Sequence, residues 1–464
     1  MTIRIIRNGS VYVNGAFQKK NLVIADGRIV SISDSDNGAS ISFPSSPLFE
    51  KTKNIAQSVA SEEILDATDC FIFPGFVDMH VHFREPGFSY KETIATGTRA
   101  AARGGYTVCC TMPNLNPVPD SLANLRVQLE IIEKTACIHV LPYGAITQGE
   151  KGAVLSDMEA LAPYVVGFTD DGAGVANAEI MRQAMQRARQ LKKPVAAHAE
   201  DLTLTRGGVI HDGDYAKRHG LPGNPSESEW RQVERDIQLA HETGVQYHVC
   251  HVSTKESARL VADAQKEGLP VTCETAPHYL TLTDADLRDE GRFKMNPPIR
   301  SADDRTALQK GIIDGSIACI ATDHAPHSKE EKSKGLLKSL NGIVGLETAF
   351  PILYTRLVRT GLLPLSVLIE RMSTAPHRIF SLSHVHEVGH TFGIGEKIAE
   401  GKPCDLAIFD LNHPYRIDSA DFLSKGKASP YLGEKVYGKC LLTLVGGEVA
   451  YEDPQFRLSK SLRK

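Results

Sequence analysis

The chain has 464 residues, 42% of them apolar, and a formal net charge of −4 with acids and bases interspersed. That balance allows a sizeable core and argues against a nucleic-acid or membrane-surface role. No apolar run approaches the ~18 residues of a membrane span, and the opening MTIRIIRNGS lacks the apolar stretch of a signal peptide. Nine cysteines, an odd number with no CxxC pair, fit free thiols in a reducing cytoplasm.

The first elements read as short antiparallel strands. TIRIIRNG, SVYVNG and NLVIADGRIVSIS alternate apolar and polar residues and carry NG and DG turns. Residues 34–62 are rich in Ser and Asn and lack periodicity, which predicts a long surface loop or insertion. The β pattern returns in DLAIFDL (405–411) and LLTLVGGEVAYE (441–452), so the two ends are expected to pair into one small domain.

Between them lie eight apolar runs that end in polar or turn residues: 73–82, 107–114, 138–145, 165–172, 194–201, 246–254, 270–278 and 317–327. Amphipathic stretches such as 177–193 and 254–268 separate them. Strand–helix alternation with eight strands predicts a TIM (β/α)8 barrel, which takes about 250 residues and carries its active site at the C-terminal strand ends. The expected organisation is therefore α/β. Residues 73–390 form the barrel, and 1–72 and 391–464 form a small β-sandwich domain from both termini.

The chemistry-bearing residues fall at those strand ends. His80 and His82 alternate with Val81, so both imidazoles can face one metal ion, although HxH alone also fits ordinary loop histidines. Run four ends in Asp170–Asp171, run five in His198, run six in His251, and run eight in Asp323, with His324 and His327 following. Imidazoles and carboxylates converging on one mouth suit zinc or a similar divalent ion, and six of them on five strands can hold two ions that share a carboxylate. Arg84, two residues beyond His82, can clamp a carboxylate through two parallel hydrogen bonds; a surface arginine is the alternative, and the location beside HxH favours the clamp. His278 reads as barrel packing, His324 points away from Asp323, and His384, His386 and His390 read as a solvated loop.

DMHVHFREPG (78–87) resembles the signature of the dihydroorotases within the amidohydrolase superfamily. The likeness continues through KETIATGTRAAARGGYT, TMPNLNPVPD, GFTDDG, HAED, HVSTKES, FKMNPPIR, ATDHAPHSKEEK and GLETAFP, over about residues 65–425. It is closest to the class I bacterial type. The resemblance implies two zinc ions per chain bridged by Asp171 and a hydroxide. His80 and His82 would bind the more buried ion and His198 and His251 the second. Asp323 would ligate the first ion and move protons as the catalytic residue. It also implies substrate contacts from His82, Arg84, Asn114, Asn296, His327, Asn341 and Gly342, the last through a backbone amide. Leu340, Asn341 and Gly342 depart from the family's usual Pro-Phe-Gly segment.

The implied activity is that of a C–N hydrolase of cyclic amides. It would close N-carbamoyl-L-aspartate to L-dihydroorotate plus water in pyrimidine (UMP) biosynthesis. A homodimer or an association with aspartate transcarbamoylase is the implied partnership. Two alternatives are another cyclic amidase of the hydantoinase or allantoinase kind, and a non-catalytic scaffold of aspartate transcarbamoylase. The hydantoinase relatives bridge their metals with a carboxylated lysine, and run four here, VVGFTDDG, contains no lysine.

Overall fold

In the computed structural model, which describes residues 2–35, 61–382, 393–456 and 461–463, the alternating N-terminal pattern forms three antiparallel strands. These are β1 (Thr2–Val13), β2 (Ala16–Ala25) and β3 (Arg28–Asp34). Two-residue turns join them at Asn14–Gly15 and Asp26–Gly27. All four residues have positive φ, from 48° to 81°, a backbone state that Asn, Asp and Gly tolerate and that matches the strand twist. Two further strands, β4 (Ser61–Asp66) and β5 (Phe71–Pro74), run parallel to β1. The expected insertion at 34–62 thus begins and ends on strand residues, while 36–60 lie outside the described residues. So do His384, His386 and His390.

The eight apolar runs form a ring of parallel strands. β6 (Phe76–Val81), β7 (Tyr106–Thr111) and β8 (His139–Pro142) pair in that order. The eighth-run strand is reached through β9 (Gly144–Ala145), β10 (Phe168–Thr169), β11 (Val195–Ala197), β12 (Tyr247–Val249), β13 (Val271–Thr275) and β14 (Cys319–Ile320). A parallel bridge from Val81 to His324 brings the end of that path back beside β6.

The outer helices start where a side chain can take an orphan backbone N–H. Examples are α1 (Ile94–Arg103) at Thr93, α2 (Leu122–Thr135) at Ser121, α3 (Ala178–Gln190) at Asn177, α4 (Lys255–Lys266) at Thr254 and α5 (Ala302–Asp314) at Ser301. The fold is a TIM barrel with a β-sandwich domain built from both termini.

β15 (Leu406–Asp410), β16 (Lys439–Val445) and β17 (Glu448–Glu452) extend the N-terminal sheet in the order β17-β16-β15-β5-β1-β2-β3. The seam is antiparallel, with Leu406 opposite Pro74 and Phe409 opposite Phe71. The sheet therefore reaches Pro74, two residues past the expected division after 72. Phe73, Phe76, Phe350 and Phe409 pack together where β5 passes into β6, with Phe73 and Phe409 stacked at 5.0 Å. This apolar floor lies at the start of β6, and the histidines lie at its other end.

Candidate metal centre and substrate cavity

His80 lies within β6 and His82 one residue beyond it, with ring centroids 5.3 Å apart. The His82 amide donates to the His324 carbonyl at 2.8 Å, which ties the end of the first strand to the eighth. Asp171, His198, His251 and Asp323 each follow the end of β10, β11, β12 and β14. His80 Nε2 lies 3.4 Å from Asp171 Oδ1 and 3.6 Å from Asp323 Oδ1. His82 Nε2 lies 3.5 Å from Asp171 Oδ2 and 3.3 Å from Asp323 Oδ1. His251 Nε2 is 3.8 Å from Asp171 Oδ1, and His198 Nδ1 is 3.0 Å from His251 Nε2. All six side chains are buried.

The donor set fits a divalent cation. His80, His82 and Asp323 offer ligand atoms within 4.8 Å of one another, and so do His80, Asp171 and His251. His80 Nε2, His82 Nδ1, His251 Nδ1 and Asp171 Oδ1 are buried without a hydrogen-bond partner. Buried polar atoms are normally paired, so this concentration of unpaired ligand atoms marks a place built for a charge. Burial acts to raise the Asp171 and Asp323 carboxyls. The neighbouring histidines outweigh it, holding Asp171 well below the usual carboxylate range and Asp323 at about 2. Both are ionised at neutral pH, the form that binds metal.

Three residues of this region hold left-handed backbone, Arg84 at φ 59°, His251 at φ 35° and Asp323 at φ 49°. Side chains other than glycine hold such conformations at a cost, and they cluster at functional sites.

Above the cluster opens a cavity of about 450 Å³. His82, Asp171, His198, His251 and Asp323 line it, together with the expected substrate residues Arg84, Asn114, Asn296, Asn341 and Gly342. His80 sits beneath the cavity, fully buried. Arg84 forms no ion pair among the described residues; its Nε donates to the Pro326 carbonyl at 3.3 Å. The Asn114 amide donates to the Asp171 carbonyl at 2.5 Å, and that of Asn296 to Glu200 Oε2 at 2.9 Å.

Two expected contacts are placed differently. His327 is not in the cavity lining but lies 3.5 Å from the Arg84 guanidinium, where its Nε2 donates to the Asn341 carbonyl at 2.7 Å. The Gly342 amide donates to the Lys294 carbonyl at 3.1 Å, so the backbone donor expected to face substrate is already engaged. Gly342 has φ +133°, and a Cβ there would meet the Ala325 carbonyl oxygen at 2.5 Å. The close approach requires glycine.

Three carboxylates were missed in the sequence. Glu274, fully buried in β13, faces His80 Nδ1 at 3.2 Å and His248 Nε2 at 3.3 Å. Glu200 accepts from Asn224 and Asn296. Glu150 lines the cavity, and burial reinforced by Asp170 and Asp171 raises its carboxyl to about 9. Glu200 and Glu274 were visible as acids within the strand-end runs HAED and VTCETAPH. Asp170, expected as a neighbour of the bridging acid, accepts from the Ile146 and Thr147 amides at 2.8 and 3.0 Å and braces the turn.

A family model described as dihydro-orotase-like matches residues 70–257. The dihydroorotase of Staphylococcus epidermidis is 46% identical over 453 residues, covering 97% of this chain and 100% of its own. The chain belongs to the dihydroorotase family. A second dihydroorotase, from Fusobacterium nucleatum, is 45% identical over 97% of this chain and 99% of its own. The dihydroorotase-family fold is also close to that of the L-hydantoinase (dihydropyrimidinase) from Arthrobacter aurescens. The TM-score is 0.80 at 26% identity, covering 97% of this chain and 96% of that one. No helix among the described residues of this dihydroorotase-family chain is long and apolar enough to cross a membrane.

Proposed function

We propose that the chain interconverts N-carbamoyl-L-aspartate and L-dihydroorotate plus water, the ring-closing step of pyrimidine biosynthesis. The observation that carries this reading is one cavity whose wall joins the histidine–aspartate cluster to Arg84, a guanidinium in no ion pair among the described residues. Two zinc ions are assigned to the cluster. His80, His82 and Asp323 would hold one, His198 and His251 the other, with Asp171 shared. Bound there, such cations lower the pKa of water and polarise an amide carbonyl.

The chain's own groups do the rest. Arg84 receives the substrate carboxylate through two parallel hydrogen bonds, with His327 and the Asn341 carbonyl fixing its position from behind. Asn114 and Asn296 bond the ring's amide edges, and Gly342 keeps the wall close to the ring. In hydrolysis, ionised Asp323 takes the proton of the attacking water and delivers it to the leaving ring nitrogen. In ring closure the proton path runs in reverse, from the attacking nitrogen to the departing water. The family reading also carries the proposal of a homodimer or an association with aspartate transcarbamoylase, which light scattering on the pure and mixed proteins tests. A cytoplasmic location belongs to the same reading.

The likeness to the L-hydantoinase supports a second reading, a different cyclic amide as substrate. Purified chain assayed on dihydroorotate, hydantoin, dihydrouracil and allantoin, with and without a zinc chelator, separates the two. The expected result is chelator-sensitive turnover of dihydroorotate well above the others. Preference for hydantoin or dihydrouracil would overturn the assignment. Ring closure also consumes a carboxylate and a proton, so the equilibrium ratio of closed to open form should rise as pH falls.

A further inference from the structure

Behind the catalytic cavity lies a second cavity of about 420 Å³, between the segment after β14 and residues 289–292 and 425–428. Its walls carry Arg292, Lys329, Lys332, Lys425 and Lys427. Two acids share them, Asp289 and Glu290. Glu290 is taken by Arg292 at 2.6 Å, and Asp289 Oδ1 accepts the Leu336 amide at 2.8 Å. None of the four lysines forms an ion pair among the described residues. Lys425 and Lys427 donate to the Ser89 and Phe422 carbonyls, which leaves both ammonium charges uncompensated.

Lys332 is the buried member, 8% exposed. Its ammonium donates to the Lys294 carbonyl at 2.9 Å and to the Leu340 carbonyl at 2.7 Å. An ammonium has three donors, so one is left over. Burial, with Lys294 adding to it, pushes Lys332 down to about 7, as expected for a cation without a counter-charge. The two carbonyls it holds flank the catalytic cavity: Lys294 also accepts the Gly342 amide and lies two residues before Asn296, and Leu340 precedes Asn341. His327 lines the second cavity and touches Arg84 in the first.

We propose that this second cavity binds a phosphate-bearing small molecule, and that its occupation steadies the 326–342 segment and so changes substrate affinity at the catalytic cavity. The volume falls in the range of small-molecule sites, and clustered cations with an unspent donor recognise phosphate oxygens by charge-assisted hydrogen bonds. The coupling half rests on the reading of Arg84, Asn296, Asn341 and Gly342 as substrate contacts; the binding half does not.

The test is calorimetry on the metal-loaded full chain with inorganic phosphate and with adenosine monophosphate, using the Lys329→Glu/Lys427→Glu double variant and Arg84→Met. Neither lysine belongs to the catalytic machinery. The expected result is saturable binding near one equivalent, weakened at least tenfold in the double variant, retained in Arg84→Met and reduced by added salt. A preference for adenosine monophosphate identifies a nucleotide-type ligand, and equal affinity identifies phosphate itself. Binding that is absent, or unchanged in the double variant, overturns the site. Binding lost in Arg84→Met but kept in the double variant places the anion in the catalytic cavity and also overturns it. The KM for dihydroorotate should shift with phosphate in wild type and stay fixed in the double variant; a fixed KM in both removes the coupling. A chain that fails to turn over dihydroorotate yet binds phosphate loses the proposed reaction and keeps the site.

Discussion

His80 presents Nε2 to Asp171 and Asp323 and Nδ1 to Glu274, whose Oε1 lies 3.2 Å away at the fully buried end of the ring. The other oxygen of Glu274 faces His248, which in turn bonds Thr272 at 2.8 Å. One carboxylate thus lies within ion-pair distance of a proposed metal ligand from behind, a placement whose loss typically weakens metal binding by roughly 10–100-fold. Glu274→Gln should keep its melting behaviour and lose zinc affinity by roughly that factor, read by competition with a chelator dye. Unchanged affinity would show that the carboxylate only fills space.

Asp323 is assigned the proton transfer. Asp323→Asn cannot accept a proton, and general acid–base contributions run to roughly 10²–10⁴-fold. Turnover of dihydroorotate should fall in that range while circular dichroism shows an intact barrel. A variant within threefold of wild type would remove the role.

Arg84→Met should raise the KM for dihydroorotate by about 2 kcal/mol in binding, the scale of a lost hydrogen bond to a charged group. Zinc content should stay at the wild-type level. Metal loss in step with KM would mean that Arg84 supports the cluster rather than the substrate.

Acid stability has a separate structural source. Asp405 accepts from His139 at 3.1 Å, from the Gly446 amide at 2.7 Å and from the Gly395 amide at 2.6 Å, linking a barrel strand to the terminal sheet. Burial acts to raise this carboxyl, but the His139 contact and the two amides hold it below its ordinary value. A depressed carboxyl contributes stability above its unfolded pKa of about 3.9, which is lost as pH falls through the lower folded value. Asp405→Asn should therefore cost stability at pH 7, on the order of 3–5 kcal/mol for a broken buried pair. The gap between variant and wild type should narrow below about pH 4. A gap of constant size across that range would assign the effect to packing.

Gly342→Ala puts a methyl group 2.5 Å from the Ala325 carbonyl oxygen and 3.1 Å from His327 Nε2. The expected outcome is a raised KM together with a lowered melting temperature, because both the positive φ and the Ala325 carbonyl oppose a side chain there. An unchanged KM would show that the wall yields without consequence.

The barrel and its site were legible because period-2 strands deliver polar residues to one end. HxH, TDDG, HAED and ATDH each stop an apolar run, and strand geometry sends them to one mouth. The hairpin turns were legible because Asn14–Gly15 and Asp26–Gly27 name their own backbone state. What stayed hidden depends on distant partners. Glu274 sits inside an apolar run, and only the neighbouring strands reveal that it faces His80 and His248. The engagement of the Gly342 amide depends on Lys294, 48 residues earlier in the chain. The displacement of His327 behind Arg84 depends on Lys91 and the Asn341 carbonyl, which no local pattern signals. β4 escaped notice because SEEILD carries too little apolar alternation to stand out from the Ser-rich stretch before it.

The antiparallel seam between β5 and β15 joins residues 71–74 to residues 406–409. During synthesis, more than three hundred residues emerge between the two sides of that seam. The first half of the sheet must therefore wait with an open edge while the ring of strands is made. A ribosome stalled before β15 would hold a nascent chain whose Phe73 and Phe76 can reach Phe350 but lack Phe409, the ring stacked against Phe73. A segment made long after the first strands thus closes the apolar floor beneath the catalytic barrel.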